Sequence, residues 1–370
     1  MKISEEATRD AEMTLRMRNR RRARNRQRNT VLAMGMCILL ALLVTGGCVL
    51  LIRSLLKPKE NIADVANLGE NIKVSYTKEE VDVLLENARK EGAKQTLDAL
   101  EEGLNGSGTL VEKLRPLYQD KLVVVSNGKY HFIPIDTSLQ MNSYKEENLR
   151  ILENGFVEYE ENGTVISHKG IDVSKHQGEI DWEKVAADGI EFAFIRVGNR
   201  GYGSGVIVED EQFEANVKGA VSNGIKVGVY FFSQAVNVEE ALEEAAFVLE
   251  KIAPYRIDCP VVMDVEKVAD SGARMNKISV EERTANTLAF LEKIEEAGYT
   301  AMLYHNMEMS TLLLDIGQFE KYDKWFAYYN KEFYYPYAFE VWQYSAKGRV
   351  NGIAGEVDLN ISFHLWENKD

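Results

Sequence analysis

Two carboxylates separated by one residue, Asp264 and Glu266, follow the apolar run Pro260-Val261-Val262-Met263. Side chains alternate along a strand, so an extended Asp-Val-Glu presents both acids on one face with their Cα atoms about 6 to 7 Å apart. Carboxylates so crowded resist ionising together, and one of them keeps its proton above the ordinary carboxylate range. A proton held that way near neutral pH is what an acid catalyst needs. Taken alone, an Asp-x-Glu at a strand end is more often a solvated rim. The chemistry therefore depends on what else converges there.

The elements that must position this pair are legible from Gly170 onward. Eight apolar runs read as strands: 171–173, 192–197, 227–232, 261–265, 301–304, 325–328, 340–344 and 357–361. Helical patterns lie between many of them, for example 212–222, 239–251 and 280–297, the last opened by a capping box of Ser279 and Glu282. Alternating strand and helix predicts a parallel sheet. Eight repeats in about 200 residues favour a compact α/β barrel, TIM-like with some helices shortened or missing, over an open doubly wound sheet.

Such barrels build their sites from the carboxyl ends of the strands. The polar residues at or just after those ends are Asp172, Arg196, Tyr230, Ser233, Asp264, Glu266, Tyr304, Asn306, Tyr328, Gln343, Tyr344 and Asp358. Aromatic faces, amides and carboxylates together suit a sugar, whose rings stack and whose hydroxyls and acetamides hydrogen-bond. The set holds neither cysteine nor a metal-type histidine cluster, so no metal and no cofactor is expected. Each residue also has a bland reading. Asp172 can cap the turn after it and Asp358 can bond nearby backbone. His176 reads as a positioning or surface histidine, and Tyr334-Tyr335-Pro336-Tyr337 as a glycan platform or as packing under the barrel. Of Trp325 and Trp342, one can be core while the other borders a cleft.

Three segments carry a resemblance. Gly170-Ile171-Asp172-Val173-Ser174-Lys175-His176-Gln177-Gly178 with Ile180-Asp181-Trp182 resembles the opening of glycoside hydrolase family 25, the Chalaropsis-type lysozymes. Val262-Met263-Asp264-Val265-Glu266 is similar to that family's central acidic strand. Trp342-Gln343-Tyr344-Ser345 with Gly355-Glu356-Val357-Asp358-Leu359-Asn360 is similar to its closing segment. The resemblance implies a modified β/α barrel that hydrolyses the β-1,4 bond between N-acetylmuramic acid and N-acetylglucosamine in peptidoglycan, with retention. By position, it makes Glu266 the general acid and then base, and Asp264 either the nucleophile or the group that orients the substrate acetamido. Asp172 and Asp358 become further acids of the cleft, with Arg196, Tyr230, Tyr304, Asn306, Gln343 and Tyr344 as substrate-binding candidates. Arg196 stands where many members have lysine, and Phe232-Ser233-Gln234 replaces a common Phe-Ala-Arg run. The alternative reading is a glycan-binding scaffold of a wall-associated machine that keeps the fold without turnover. A wall peptidase or amidase would need a Cys-His pair or a His-rich zinc set, and the sequence offers neither.

The rest of the chain bears on location. Residues 31–52 carry no charge over 22 positions, enough for a helix to cross a hydrocarbon core of about 30 Å. Eight arginines between Arg16 and Arg28 precede it, so the positive-inside rule predicts a single-pass membrane protein with residues 1–30 as a cytoplasmic tail and everything after about residue 53 exported. The run is longer than the apolar core of a cleaved signal peptide, and Thr45-Gly46-Gly47-Cys48 fits a lipoprotein processing site poorly. Net charge is −14, but residues 1–30 carry +6 and the remainder −20. An acidic exported part argues against nucleic acid as a partner. Cys37 and Cys48 fall in the apolar run, leaving Cys259 without a disulfide partner, which suits a bacterial export route better than an animal secretory one. Residues 53–105 read as a linker and stalk helix capped by Thr77 and Glu80, a candidate for self-association, and residues 106–169 as a small spacer with Asn127-Gly128 and Asn162-Gly163 hairpin turns. Residues 170–370 form the barrel domain.

Overall fold

A computed structural model describes residues 76–366, apart from 107 and 331–332. The expected membrane span at 31–52 and the Arg-rich tail lie outside the described residues; among those described, no helix is long and apolar enough to cross a membrane. The described residues fall into two units, one ending at Tyr118 and the other beginning at Gln119.

In the first unit, α1 (Lys78–Asn105) begins at Thr77, whose hydroxyl accepts from Glu80 N–H while the Glu80 carboxylate accepts from Thr77 N–H. This reciprocal cap satisfies donors that a helix start otherwise leaves open. The helix ends at Gly106, and a short α2 (Leu110–Leu114) opens with a second capping box, Thr109 and Glu112. Leu100 and Leu114 are buried, while Val83, Leu84, Leu97 and Leu104 of α1 are exposed.

The second unit begins with a hairpin, β1 (Lys121–Ser126) and β2 (Lys129–Pro134), and a small sheet of β3 (Leu149–Ile151), β4 (Val157–Glu161) and β5 (Thr164–Val165). Then come β6 (His168–Val173), α3 (Trp182–Ala187), β7 (Phe192–Arg200), β8 (Ile207–Glu209), α4 (Phe213–Ser222), β9 (Lys226–Phe232), α5 (Val238–Ile252) and β10 (Val261–Asp264). The chain finishes with α6 (Val280–Glu296), β11 (Ala301–Asn306), β12 (Asp323–Ala327), β13 (Val341–Gly348) and β14 (Val357–Ser362). All eight expected strands are present. They run β6-β14-β13-β12-β11-β10-β9-β7, and pairing of β6 with β7 closes the ring into an eight-stranded barrel, with β8 hanging on the edge of β7.

One expectation fails: the sheet is not wholly parallel. β14 is antiparallel to both neighbours, β13 and β6. The eight residues between β13 and β14 contain no crossover helix, and a parallel return needs about a dozen residues or more. The reversal matters, because it brings the start of β14, rather than its end, to the mouth formed by the carboxyl ends of the others.

The strands are apolar on both faces because both faces are buried. Phe192, Phe194, Val262, Met302 and Trp325 fill the barrel interior, whereas Ala193, Ile195, Val261, Met263 and Leu303 face outward into the larger core under the helices. Gly170 and Gly228 make the interior possible: a Cβ on Gly170 would lie 2.1 Å from the Phe192 ring, and one on Gly228 2.4 Å from that of Phe194. Among the described residues no helix follows β12 or β13, and β11 is followed only by short turns, Met309–Leu313 and Ile316–Phe319. The N-terminal strands cover this side instead. Tyr334 Oη accepts from Val123 N–H at 2.7 Å, Tyr337 Oη from Asp136 N–H at 2.9 Å and Tyr344 Oη from Val157 N–H at 3.3 Å. Tyr144 stacks on Phe363 at 3.6 Å, beside Tyr159 and Phe339. The segment expected as a separate spacer thus shares one unit with the barrel from Gln119 on. Tyr335 and Tyr337 are buried, which makes the tyrosine-rich turn packing rather than a glycan platform.

Candidate active site

The mouth of the barrel is a polar cavity of about 250 Å³ lined by Asp172, Arg196, Tyr230, Phe232, Asp264, Glu266, Tyr304, Trp325, Tyr329, Gln343 and Asp358. Strand alternation builds it. Asp264 is the last residue of β10, in register with Phe232 of β9 and Tyr304 of β11. Val265 turns outward into the core with no exposure, and Glu266 returns to the cavity side. Asp172 sits on β6 directly opposite Asp358 on β14. Asp172 and Asp264 are buried, whereas Glu266 and Asp358 are partly open to solvent.

A fixed array of donors holds Asp172. Gln343 Nε2 and Asn360 Nδ2 each donate to its Oδ2 at 2.8 Å. Both amides are themselves oriented: Tyr304 and Tyr329 hydroxyls donate to Gln343 Oε1 at 2.9 Å, and Trp325 Nε1 donates to Asn360 Oδ1 at 2.8 Å. With their oxygens occupied, the two amides can only turn N–H groups toward Asp172. Trp325 in turn is wedged against Phe194 and Tyr304, each at 4.6 Å between ring centres. Asp264 is held differently: its carboxyl contacts Glu266, while its Oδ1 is buried without a hydrogen-bond partner.

The electrostatics follow from four acids in one small polar hole. Burial pushes Asp172 well above the usual carboxylate range and the charge of Asp358 adds to it, against the pull of Asn360 and Gln343. Asp264 is driven well up by burial, then by the charges of Glu266 and Asp172. Glu266 is raised by burial, partly offset by its contact with Asp264 and reinforced by Asp358. Asp358 is pushed up to about 6, chiefly by burial. The cluster therefore retains protons at a pH where isolated carboxylates have lost theirs.

Of the ten expected site residues, eight line this cavity. Asn306 does not: its Oδ1 accepts from Met309 N–H at 3.0 Å and caps the turn after β11. Tyr344 does not either, because Gln343 beside it points inward and alternation sends Tyr344 to the outer core, where its hydroxyl serves Val157. Arg196 lines the cavity but spends its guanidinium on Asp210, with Nε and Nη2 both 2.7 Å from Oδ2. Ser233 faces away and donates to Glu244 at 2.6 Å. His176 is exposed. Sequence reasoning missed Tyr329 and Asp210, and quoted Phe232 only as a departure from the family pattern. It quoted Asn360 without placing it at the site and left open which of Trp325 and Trp342 borders the cleft; Trp325 does. Among the described residues, no group of three or more His, Cys, Asp or Glu forms a metal cage.

A closed α/β barrel whose mouth gathers four proton-holding carboxyls among tyrosine, tryptophan and amide side chains is the architecture of a glycosidase. The model of the family "Glycosyl hydrolases family 25" matches residues 171–353. Uncharacterized protein YegX of Escherichia coli (strain K12) is 30% identical over 208 residues, covering 52% of this chain and 68% of that protein. Lysozyme M1 of Streptomyces globisporus is 29% identical over 205 residues, covering 52% of this chain and 66% of that protein. The solved modular autolysin LytC of Streptococcus pneumoniae, in complex with a synthetic peptidoglycan ligand, is 23% identical with a TM-score of 0.47, covering 65% of this chain and 51% of that one. The chain belongs to glycosyl hydrolases family 25 and is a glycoside hydrolase.

Proposed function

We propose that the chain is a muramidase that cleaves the β-1,4 bond between N-acetylmuramic acid and N-acetylglucosamine in peptidoglycan. Family membership and the likeness to a lysozyme support peptidoglycan hydrolysis in general. The single observation that carries the finer reading is the convergence of Asp172, Asp264, Glu266 and Asp358 on one cavity walled by aromatic rings. Glu266, raised yet partly open to solvent, gives its proton to the glycosidic oxygen as the bond breaks and then takes one from water. Asp264, deeper and unsupported on Oδ1, either attacks the anomeric carbon or orients the substrate acetamido group that does so. Both routes retain configuration. Asp172 and Asp358 keep the proton inventory of the cavity high, and Tyr329, the exposed aromatic ring of the lining, offers its face to the sugar.

The test is a digest of purified peptidoglycan, with the soluble fragments reduced by borohydride and identified by mass spectrometry. Muramic acid ends converted to their alditol support the proposal. Glucosamine alditols, or freed stem peptides without new reducing ends, overturn it. Proton NMR of the first anomer released reads retention directly.

We further infer that residues 31–52 tether the enzyme to the outer face of a cell membrane, from their uncharged length and the arginines before them. Protease added outside intact cells then removes the barrel and spares the N-terminal tail. The exposed Val83, Leu84, Leu97 and Leu104 of α1 support self-association through that helix, which sedimentation of the exported part tests.

A further inference from the structure

The strand that carries Asp264 ends before Glu266 is reached. β10 stops at Asp264, and the next backbone bond is a long one, Val265 N–H to Tyr304 O at 3.4 Å. Residues 265–268 have no regular structure. An irregular stretch holds its side chains less firmly than a strand does, yet an acid catalyst misplaced by about 1 Å can lose on the order of a hundredfold in rate.

Side chains fix this segment from two directions. On one side, Asn276 Nδ2 donates to Val268 O at 2.7 Å and to Asp270 O at 3.1 Å. On the other, Lys267 Nζ donates to Glu308 Oε1 at 2.6 Å and to Asn127 Oδ1 at 3.0 Å, with a longer contact of 3.5 Å to Ser126 Oγ. Ser126 Oγ in turn donates to the Glu308 carboxylate. The Lys267 and Glu308 side chains are 24% and 23% exposed, so their attraction is screened less than that of a surface pair.

Ser126 and Asn127 form the tip of the β1–β2 hairpin. Asn127 (φ 50°) and Gly128 (φ 73°) both lie in the left-handed region that a two-residue hairpin turn demands. Asn127 therefore serves twice, tolerating the turn and offering its amide oxygen to Lys267. Both residues lie outside 171–353, the span of the family match. Part of the hold on the residue after Glu266 thus comes from a segment that precedes the family match, and the rest from Glu308 within it.

We propose that the hairpin tip is a positioning element of the active site: Ser126 and Asn127, together with Glu308, hold Lys267 and thereby set where Glu266 presents its proton. This rests on Glu266 being the general acid. Lys267 acts through the backbone, while burial, Asp264 and Asp358 set the ionisation of Glu266. Loosening the hold therefore lowers turnover without moving the pH limbs.

The experiment compares Lys267→Met, Lys267→Arg and Asn127→Gly in the full-length chain, measuring kcat and KM for release of reducing ends, the pH profile and Tm. Asn127→Gly keeps the turn and removes only the acceptor. Expected for Lys267→Met is a kcat about tenfold lower with KM within about twofold, unmoved pH limbs and most activity regained in Lys267→Arg. Asn127→Gly is expected to lower kcat about threefold at an unchanged Tm. Wild-type kcat in folded Lys267→Met and Asn127→Gly overturns the proposal, as does a loss that follows Tm alone. Glu266→Gln separates the two levels: if it is inactive while both hairpin-side variants turn over normally, only the positioning role falls, and if it is active the underlying acid assignment falls with it.

Discussion

Asp172 and Asp358 are direct partners across the antiparallel seam between β6 and β14, a register that puts the side chains of opposed residues within about 5 Å at Cβ. The reversed last strand is what brings this fourth acid to the mouth. Its charge raises both Asp172 and Glu266. Neutralising it in Asp358→Asn should let both acids ionise more readily, so the protonated form needed for catalysis is lost at lower pH. The alkaline limb of kcat/KM is expected to move toward acid. A shift toward alkali would show that Asp358 acts otherwise.

The same cluster should cost stability. A carboxyl raised in the folded state binds more protons there than in the unfolded chain, so its destabilising effect is absent below the ordinary carboxylate range near 4 and, for Asp358, fully developed above about 6. Carboxylates pulled down elsewhere, such as Asp181 and Glu240, give the opposite slope. Comparison with a variant therefore isolates the effect. Asp358→Asn is expected to melt with the wild type near pH 4 and several degrees above it at pH 7.5. Differential scanning calorimetry across that range decides, and a variant advantage that shrinks as pH rises contradicts the sign.

Gln343 is the hinge of the donor array, giving one bond to Asp172 and receiving two hydroxyls. Gln343→Leu strands all three partners in a buried site, at a cost of about 1 to 3 kcal/mol for each group left unsatisfied. Both Tm and kcat/KM are expected to fall, the latter by about tenfold to a hundredfold. Normal kcat/KM in the folded variant would mean that Asp172 needs no fixed orientation.

Arg196 divides two readings. Its side chain and that of Asp210 are 13% and 0% exposed, and removing one partner of a buried pair costs about 3 kcal/mol or more. Arg196→Ala is therefore expected to lower Tm markedly, and Arg196→Ala/Asp210→Asn to recover most of it. A raised KM at unchanged Tm would instead favour direct sugar binding.

The barrel was legible because strands buried on both faces leave uninterrupted apolar runs, and the pair Asp264 and Glu266 because one residue of spacing guarantees one face. The reversal of β14 was not, since Val357-Asp358-Leu359 reads the same in either direction and only the missing crossover betrays it. Site membership was lost by single-residue steps. β12 ends at Ala327, so Tyr329 and not its neighbour Tyr328 reaches the cavity. Beside inward Gln343, Tyr344 must face out. Asn306 turned its amide back onto Met309 N–H, a local bond available to any asparagine at a strand end. Asp210 lies 14 residues beyond Arg196 on no motif, and only the folded chain reveals the pair.

The most direct measurement is reducing-end release from purified peptidoglycan by wild type and Glu266→Gln at matched folded concentration. The expected result is a loss of about a thousandfold in kcat with Tm equal or higher and wall binding retained. Turnover in Glu266→Gln within a few fold of wild type would contradict the role of Glu266 as proton donor, and with it the muramidase chemistry assigned to this cavity.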